Sequence, residues 1–139
     1  MRLLRSLAIV AVLTTASAQG SNAETPEAAA EAAARVWLGL VDAGDYAKSW
    51  VTGAQYFRNS VLEAQWVTSV ARVRGSLGGL KSRRLVSAKY TRSLHGAPDG
   101  EYVVIQFATS FEKRAEATET VTPMKDRDGR WRVSGYFIR

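Results

Sequence analysis

Residues 62–94 read LEAQWVTSVARVRGSLGGLKSRRLVSAKYTRSL, and the fold turns on the change of period inside them. Leu62, Trp66, Val70, Val73 and Leu77 recur at steps of four, four, three and four. That is one apolar stripe, and it predicts a helix from about Arg58 to Arg74. Gly75, Gly78 and Gly79 interrupt it. Beyond them the pattern alternates, and a strand is expected from about Arg83 to Leu94.

Toward the N-terminus the chain is helical. Thr25-Pro26-Glu27 is a helix start: a capping hydroxyl, a proline with preset φ and no N–H to waste, and an acid in the first turn. Ala30, Ala33, Trp37, Leu40 and Val41 follow at helical spacing, with Glu31 and Arg35 on the opposite face as an i,i+4 pair. Gly44 is placed to end this helix in the left-handed conformation. Asp45 is placed to cap a short second helix containing Tyr46 and Trp50.

Toward the C-terminus the chain is extended. His95 to Gly100 (HGAPDG) is a turn cluster. A second strand is expected over about Glu101 to Lys113, where Val103, Ile105, Phe107 and Phe111 alternate with polar or small residues. A third spans about Thr118 to Lys125, Asp126 to Gly129 (DRDG) is a tight turn, and a fourth runs from Arg130 to Ile138. In the last, Trp131, Val133, Gly135 and Phe137 are expected on one face, and Arg132, Ser134, Tyr136 and Ile138 on the other. Helices first and strands afterwards imply an α+β fold, with about three N-terminal helices packed on a four-stranded antiparallel meander.

The first residues carry an address. Arg2 and Arg5 precede the apolar run Leu7 to Leu13, and Ala16-Ser17-Ala18 matches a signal-peptidase site, with Ala23 as a second. The expectation is a signal peptide over residues 1–18, or to 23, and a single domain over 25–139. The run is far short of the ~20 residues a spanning helix needs, so no integral membrane segment is expected after processing. The chain has no cysteine, which excludes disulfides, thiolate metal sites and a lipid-bearing thiol. A bacterial periplasm fits best, secretion being the alternative.

The net charge of +6 is unevenly placed. Ala64 to Pro98 has no acid and seven bases, while Asp99 to Arg139 has seven of each. Arg83, Arg84 and Lys89 in that basic block are candidate contacts for an anionic envelope surface. Export and the lack of interleaved exposed aromatics argue against nucleic acid.

Several pieces of the chain match one another's order in a known family. They are Trp37-Leu38, Asp42-x-Gly44-Asp45-Tyr46, Ser49-Trp50, Phe57, Trp66, Arg74 before Leu77-Gly78, Pro98-Asp99-Gly100-x-Tyr102 and Gly129-x-Trp131-x-Val133-x-Gly135-Tyr136. Together, from about Ala29 to Arg139, they resemble the exported bacterial family DUF4019, a domain of unknown function. The helices-then-curved-sheet plan is also similar to the NTF2-like, cystatin-related cone folds, which implies a pocket between helices and sheet. The resemblance supplies no reaction and no site residues.

The chemistry visible in the residues is sparse. His95, the one histidine, lies in a turn with no partner ligand, and no metal or phosphate-loop constellation is present. No catalytic residue, cofactor or metal is assigned. Asp42 and Asp45 read as a helix end and an N-cap, and the facing of Glu119 is left open. Tyr46, Trp50, Trp66, Tyr102, Gln106 and Tyr136 are the candidate cavity-lining residues, with Trp50 and Trp66 as a conceivable ligand shelf. Core packing is the expected reading of the four tryptophans, the shelf being the alternative. The expected function is a noncatalytic exported domain that binds a small ligand or a protein in a helix–sheet cavity. The alternatives are an isomerase- or hydratase-type pocket enzyme, which requires a buried carboxylate, and an electrostatic binder of an anionic surface. A homodimer through the sheet is the expected self-association.

Overall fold

The computed structural model describes residues 23–139, so the expected signal segment lies outside the described residues. Four helices precede four strands: α1 (Pro26–Asp42), α2 (Tyr46–Val51), α3 (Gln55–Ser60), α4 (Glu63–Leu77), β1 (Leu80–Thr91), β2 (Tyr102–Phe111), β3 (Arg114–Lys125) and β4 (Trp131–Ile138). The strands form one antiparallel sheet in the order β1-β2-β3-β4. The α+β meander expected from the pattern is therefore present. Among the described residues no helix is long and apolar enough to cross a membrane.

The start of α1 follows its local chemistry. The Thr25 hydroxyl accepts from the Ala28 N–H at 3.2 Å, and Arg35 pairs with Glu31 at 2.8 Å. Gly44 takes φ +78°, a conformation that a side chain would resist, and turns the chain into α2. Asp45 occupies the N-cap position of α2 but makes no side-chain capping bond.

The expected third helix is two helices. Val61 is extended (φ −139°, ψ 134°), and its carbonyl accepts the Trp50 indole N–H at 2.8 Å. A side chain from α2 thus takes the acceptor that a continuous helix would have used. The buried stripe of α4 also differs from the apolar one. Val70, Arg74 and Leu77 are buried with Trp66 half-buried, whereas Leu62 and Val73 are exposed. Arg74, not Val73, faces the interior.

The strands begin and end near their expected places, with two differences. The β2–β3 connection shrinks to Glu112-Lys113, whose N–H groups donate to the carbonyls of Gly79 and Leu77. A register shift between Thr122 and Pro123 changes the parity of β4. Val133 faces the core before the shift, and Tyr136 packs inward after it, leaving Phe137 exposed. The single-period reading of β4 is corrected by this bulge.

One layer of helices covers one face of the sheet. Ala30, Ala34, Trp37, Leu38 and Val41 of α1 pack with Val103, Ile105, Phe107, Val121 and Val133. Ring packing fills the interior: Trp37 lies 5.9 Å from Trp66 and 5.3 Å from Tyr136, and Phe57 lies 5.0 Å from Trp66. Ser49, fully buried, accepts from both Trp37 Nε1 (backbone carbonyl, 2.8 Å) and Trp66 Nε1 (hydroxyl, 2.9 Å). Truncating Phe107 to alanine should cost about 3–5 kcal/mol in urea denaturation. Val36→Ala, at a site 76 % exposed, should change stability by no more than about 0.5 kcal/mol.

Candidate functional site

The chemical centre of the molecule is a polar chain buried between α1, α4 and the sheet. Glu119 of β3 has no solvent exposure. Register explains its facing: it lies opposite Phe107, so it points to the helix-covered side with Ala117 and Val121. Arg83 Nε donates to Glu119 Oε1 at 2.6 Å and Arg83 Nη2 to Oε2 at 3.1 Å. Thr109 donates to Oε1 at 2.6 Å, and the Tyr136 hydroxyl makes a short bond to Oε2. Four donors converge on one carboxylate.

The same Arg83 reaches Asp42, at the C-terminal end of α1, with Nη1–Oδ2 at 2.7 Å and Nη2–Oδ1 at 2.9 Å. Arg74 adds Nη2–Oδ1 at 2.9 Å. Six elements (α1, α4, β1, β2, β3 and β4) therefore contribute one side chain each to a continuous network. Its formal charge balances, two guanidiniums against two carboxylates. Arg74 is 5 % exposed and lies over the Phe111 ring at 4.9 Å, with Nε and Nη1 lacking an acceptor.

The titration of these groups follows from their neighbours. Burial works to raise the Asp42 carboxyl, but the hydrogen bonds and charge of Arg83, followed by those of Arg74, hold it below the ordinary carboxylate value. Burial pushes the Tyr136 hydroxyl up, and the Glu119 charge and hydrogen bond push it further. Tyr136 therefore remains a proton donor to Glu119 throughout the physiological range.

The structure separates the candidate cavity residues. Trp66 and Tyr136 join the interior through Trp37, and Tyr46 is half-buried against the same core. Trp50 is held by Val61, while the ring neighbours of Trp66 are Trp37 and Phe57. Gln106 is exposed on the sheet face away from the helices, since Ile105 and Phe107 on either side of it are buried inward. Tyr102 is buried beneath the β1–β2 loop, donating to the Pro98 carbonyl. His95 is exposed. Arg83 is not a surface contact: its alternation and its two carboxylate partners turn it inward. Arg84 and Lys89 remain exposed.

Glu119 and Ser49 escaped identification as interior residues, and half-buried Asp42 as the partner of two inward arginines. Nothing local marks a carboxylate between Thr118 and Thr120 as buried; the available signal was the acid-free block opposite it, which leaves Arg74 and Arg83 without local partners. Among the described residues no cluster of histidine and carboxylate groups could hold a metal ion.

A second feature is an open groove of about 1150 Å³ between α2–α3 and the loops at one end of the sheet. Tyr56, Arg58, Pro98, Met124 and Arg132 line it. Its rim is fixed by Tyr56 donating to the Gly96 carbonyl and by Arg132, which pairs with Asp126 and Asp128. Arg132 and the Arg130 N–H hold the Asp128 carboxyl down to about 2.

Substitutions should rank the arginines. Arg83→Met leaves the buried Glu119 without a cation and Asp42 with Arg74 alone, and should cost about 3–5 kcal/mol in urea denaturation. Arg74→Met leaves the two-pronged Arg83–Asp42 pair and removes two unpartnered buried donors, so it should cost less than half as much. The pH dependence has a definite sign. A folded-state carboxyl held below its unfolded value contributes stability above that value and loses it as pH falls through the folded one. The stability difference between wild type and Asp42→Asn should accordingly be level above about pH 4 and decline below it. A difference that does not change with pH would contradict the Asp42 assignment.

The family comparison agrees with the residues quoted from the sequence. A comparison with curated proteins finds no match. The family model described as "Protein of unknown function (DUF4019)" matches residues 33–136, which takes in β1 to β3, most of β4 and every member of the polar network. The chain belongs to the DUF4019 family.

Proposed function

We propose that the protein is a noncatalytic binding domain that works after export, in a bacterial periplasm. The reading rests on Glu119. An isomerase or hydratase of the pocket type needs an interior carboxylate free to take a proton from a substrate. Glu119 lies in the interior, but Arg83, Thr109 and Tyr136 already occupy its oxygens, and ring packing fills the space beside it. A group so completely engaged fixes a structure instead of turning over substrate.

Binding is assigned to the groove between α2–α3 and the sheet end, a helix–sheet cleft displaced from the filled interior. Its volume of about 1150 Å³ suits a small molecule or a short peptide segment. Tyr56 and Met124 supply apolar contact, and Arg58, Arg130 and Arg132 supply donors for a polar or anionic group.

Native mass spectrometry of the protein purified from its own host tests both parts. The chain mass should correspond to a start at Gln19 or Glu24, and a second mass should accompany it and be lost in Met124→Arg. A chain mass that includes Met1 would overturn the export reading. A wild-type protein that carries no partner from its host would overturn the binding one.

A further inference from the structure

The sheet face away from the helices carries charge that neither the buried network nor the groove uses. Its geometry follows from the register. Arg84 pairs with Ala108, Ala108 with Thr118, and Thr118 exchanges two backbone hydrogen bonds with Arg139 (2.9 and 3.0 Å). These four residues form one row from β1 across β2 and β3 to the residue that follows β4. Neighbouring strands lie about 4.8 Å apart, so the two arginines stand roughly 14 Å from each other across a floor of alanine and threonine. The cleft between them has a volume of about 640 Å³ and takes in Ser82, Ser110 and Arg114 of the adjoining strand ends.

The sign of this face is nearly uniform. Lys89 pairs with Val104, whose neighbours Val103 and Ile105 are buried inward, so Lys89 shares the face with Arg84. Among the described residues Arg84, Lys89, Arg114 and Arg139 make no ion pair, and Glu116 is the acid lining the cleft. Beside the arginine row, Thr120 pairs with Phe137, a ring 48 % exposed. Arg139 lies over the Phe137 ring at 5.2 Å.

We propose that this helix-free sheet face, through Arg84, Arg114 and Arg139, seats the domain on a membrane surface rich in anionic phospholipid. Charge complementarity identifies the occupant. Cations spread across a row, rather than converging on one point, match several headgroups better than a single oxyanion. Exposed Phe137 suits the interfacial zone beside those headgroups. A second copy of the chain is a poor occupant, because a two-fold face-to-face contact would set this cationic row against itself. The attachment goes beyond ligand binding in the groove.

The test is co-sedimentation of the protein with phosphatidylcholine vesicles, with and without phosphatidylglycerol, at low and physiological salt. Binding is expected to the anionic vesicles alone and to weaken with salt. Each arginine near such a surface strengthens binding roughly five-fold, so Arg84→Gln, Arg114→Gln and Arg139→Gln together should weaken it roughly 100-fold. A charge-matched variant with Lys48→Gln, Arg72→Gln and Arg92→Gln, all exposed elsewhere, should bind as wild type does. Circular dichroism of both variants should match wild type, since none of the six side chains is buried. Equal loss in the two variants would overturn the proposal in favour of net charge. Absence of vesicle binding, or displacement by polyglutamate as effective as that by excess anionic vesicles, would overturn it in favour of no attachment or an acidic protein partner. None of these outcomes bears on the mass-spectrometric test of the groove.

Discussion

Glu119 and Arg83 can be buried only together. An isolated carboxylate in a protein interior is far too costly to remain charged, and an unpaired guanidinium is worse, because it cannot discard its proton. Their two-pronged contact makes burial of each conditional on the other. Thr109 and Tyr136 complete the carboxylate, while Asp42 occupies the far side of the guanidinium. Strand pairing, the angle at which α1 meets the sheet and the seating of α4 must all be right before the charges balance. The network thus ties the helical layer to the sheet by a criterion stricter than apolar contact alone, which tolerates repacking.

This arrangement also redistributes the charge seen in the sequence. The acid-free block from Ala64 to Pro98 looks like a surface feature, yet Arg74 and Arg83 within it are neutralised by Asp42 and Glu119 from outside it. The basicity that reaches solvent on the helix-free face comes partly from elsewhere, with Arg114 and Arg139 joining Arg84. A linear charge map and a surface charge map differ wherever the chain folds cations inward.

The layer plan was legible because it depends on period. The alanine and tryptophan spacing of α1, the cap at Thr25, the turn at Gly44 and the alternation of β2 are local signals, and each produced the element it implied. The site was less legible because its decisive contacts are long-range. Arg83 and Glu119 are 36 residues apart, and in one dimension each looks like a solvated charge. The split between α3 and α4 hinged on an indole from α2 taking the Val61 carbonyl, and no propensity near Val61 announces that. Arg74 occupied a core position because its partner, not its hydropathy, qualified it for burial. Family membership assigns no reaction, and the chemistry is left to be argued from geometry.

The bulge between Thr122 and Pro123 works as a frameshift in three dimensions. Before it, β4 presents Val133 to the core; after it, the same strand presents Tyr136. An uninterrupted alternation would direct Phe137 inward and turn the Tyr136 hydroxyl to solvent, leaving Glu119 one donor short. One extra residue in the ladder thus decides which aromatic is structural and which is displayed. The interior gains its phenol, and the outer face gains its exposed phenylalanine, from a single irregularity in spacing.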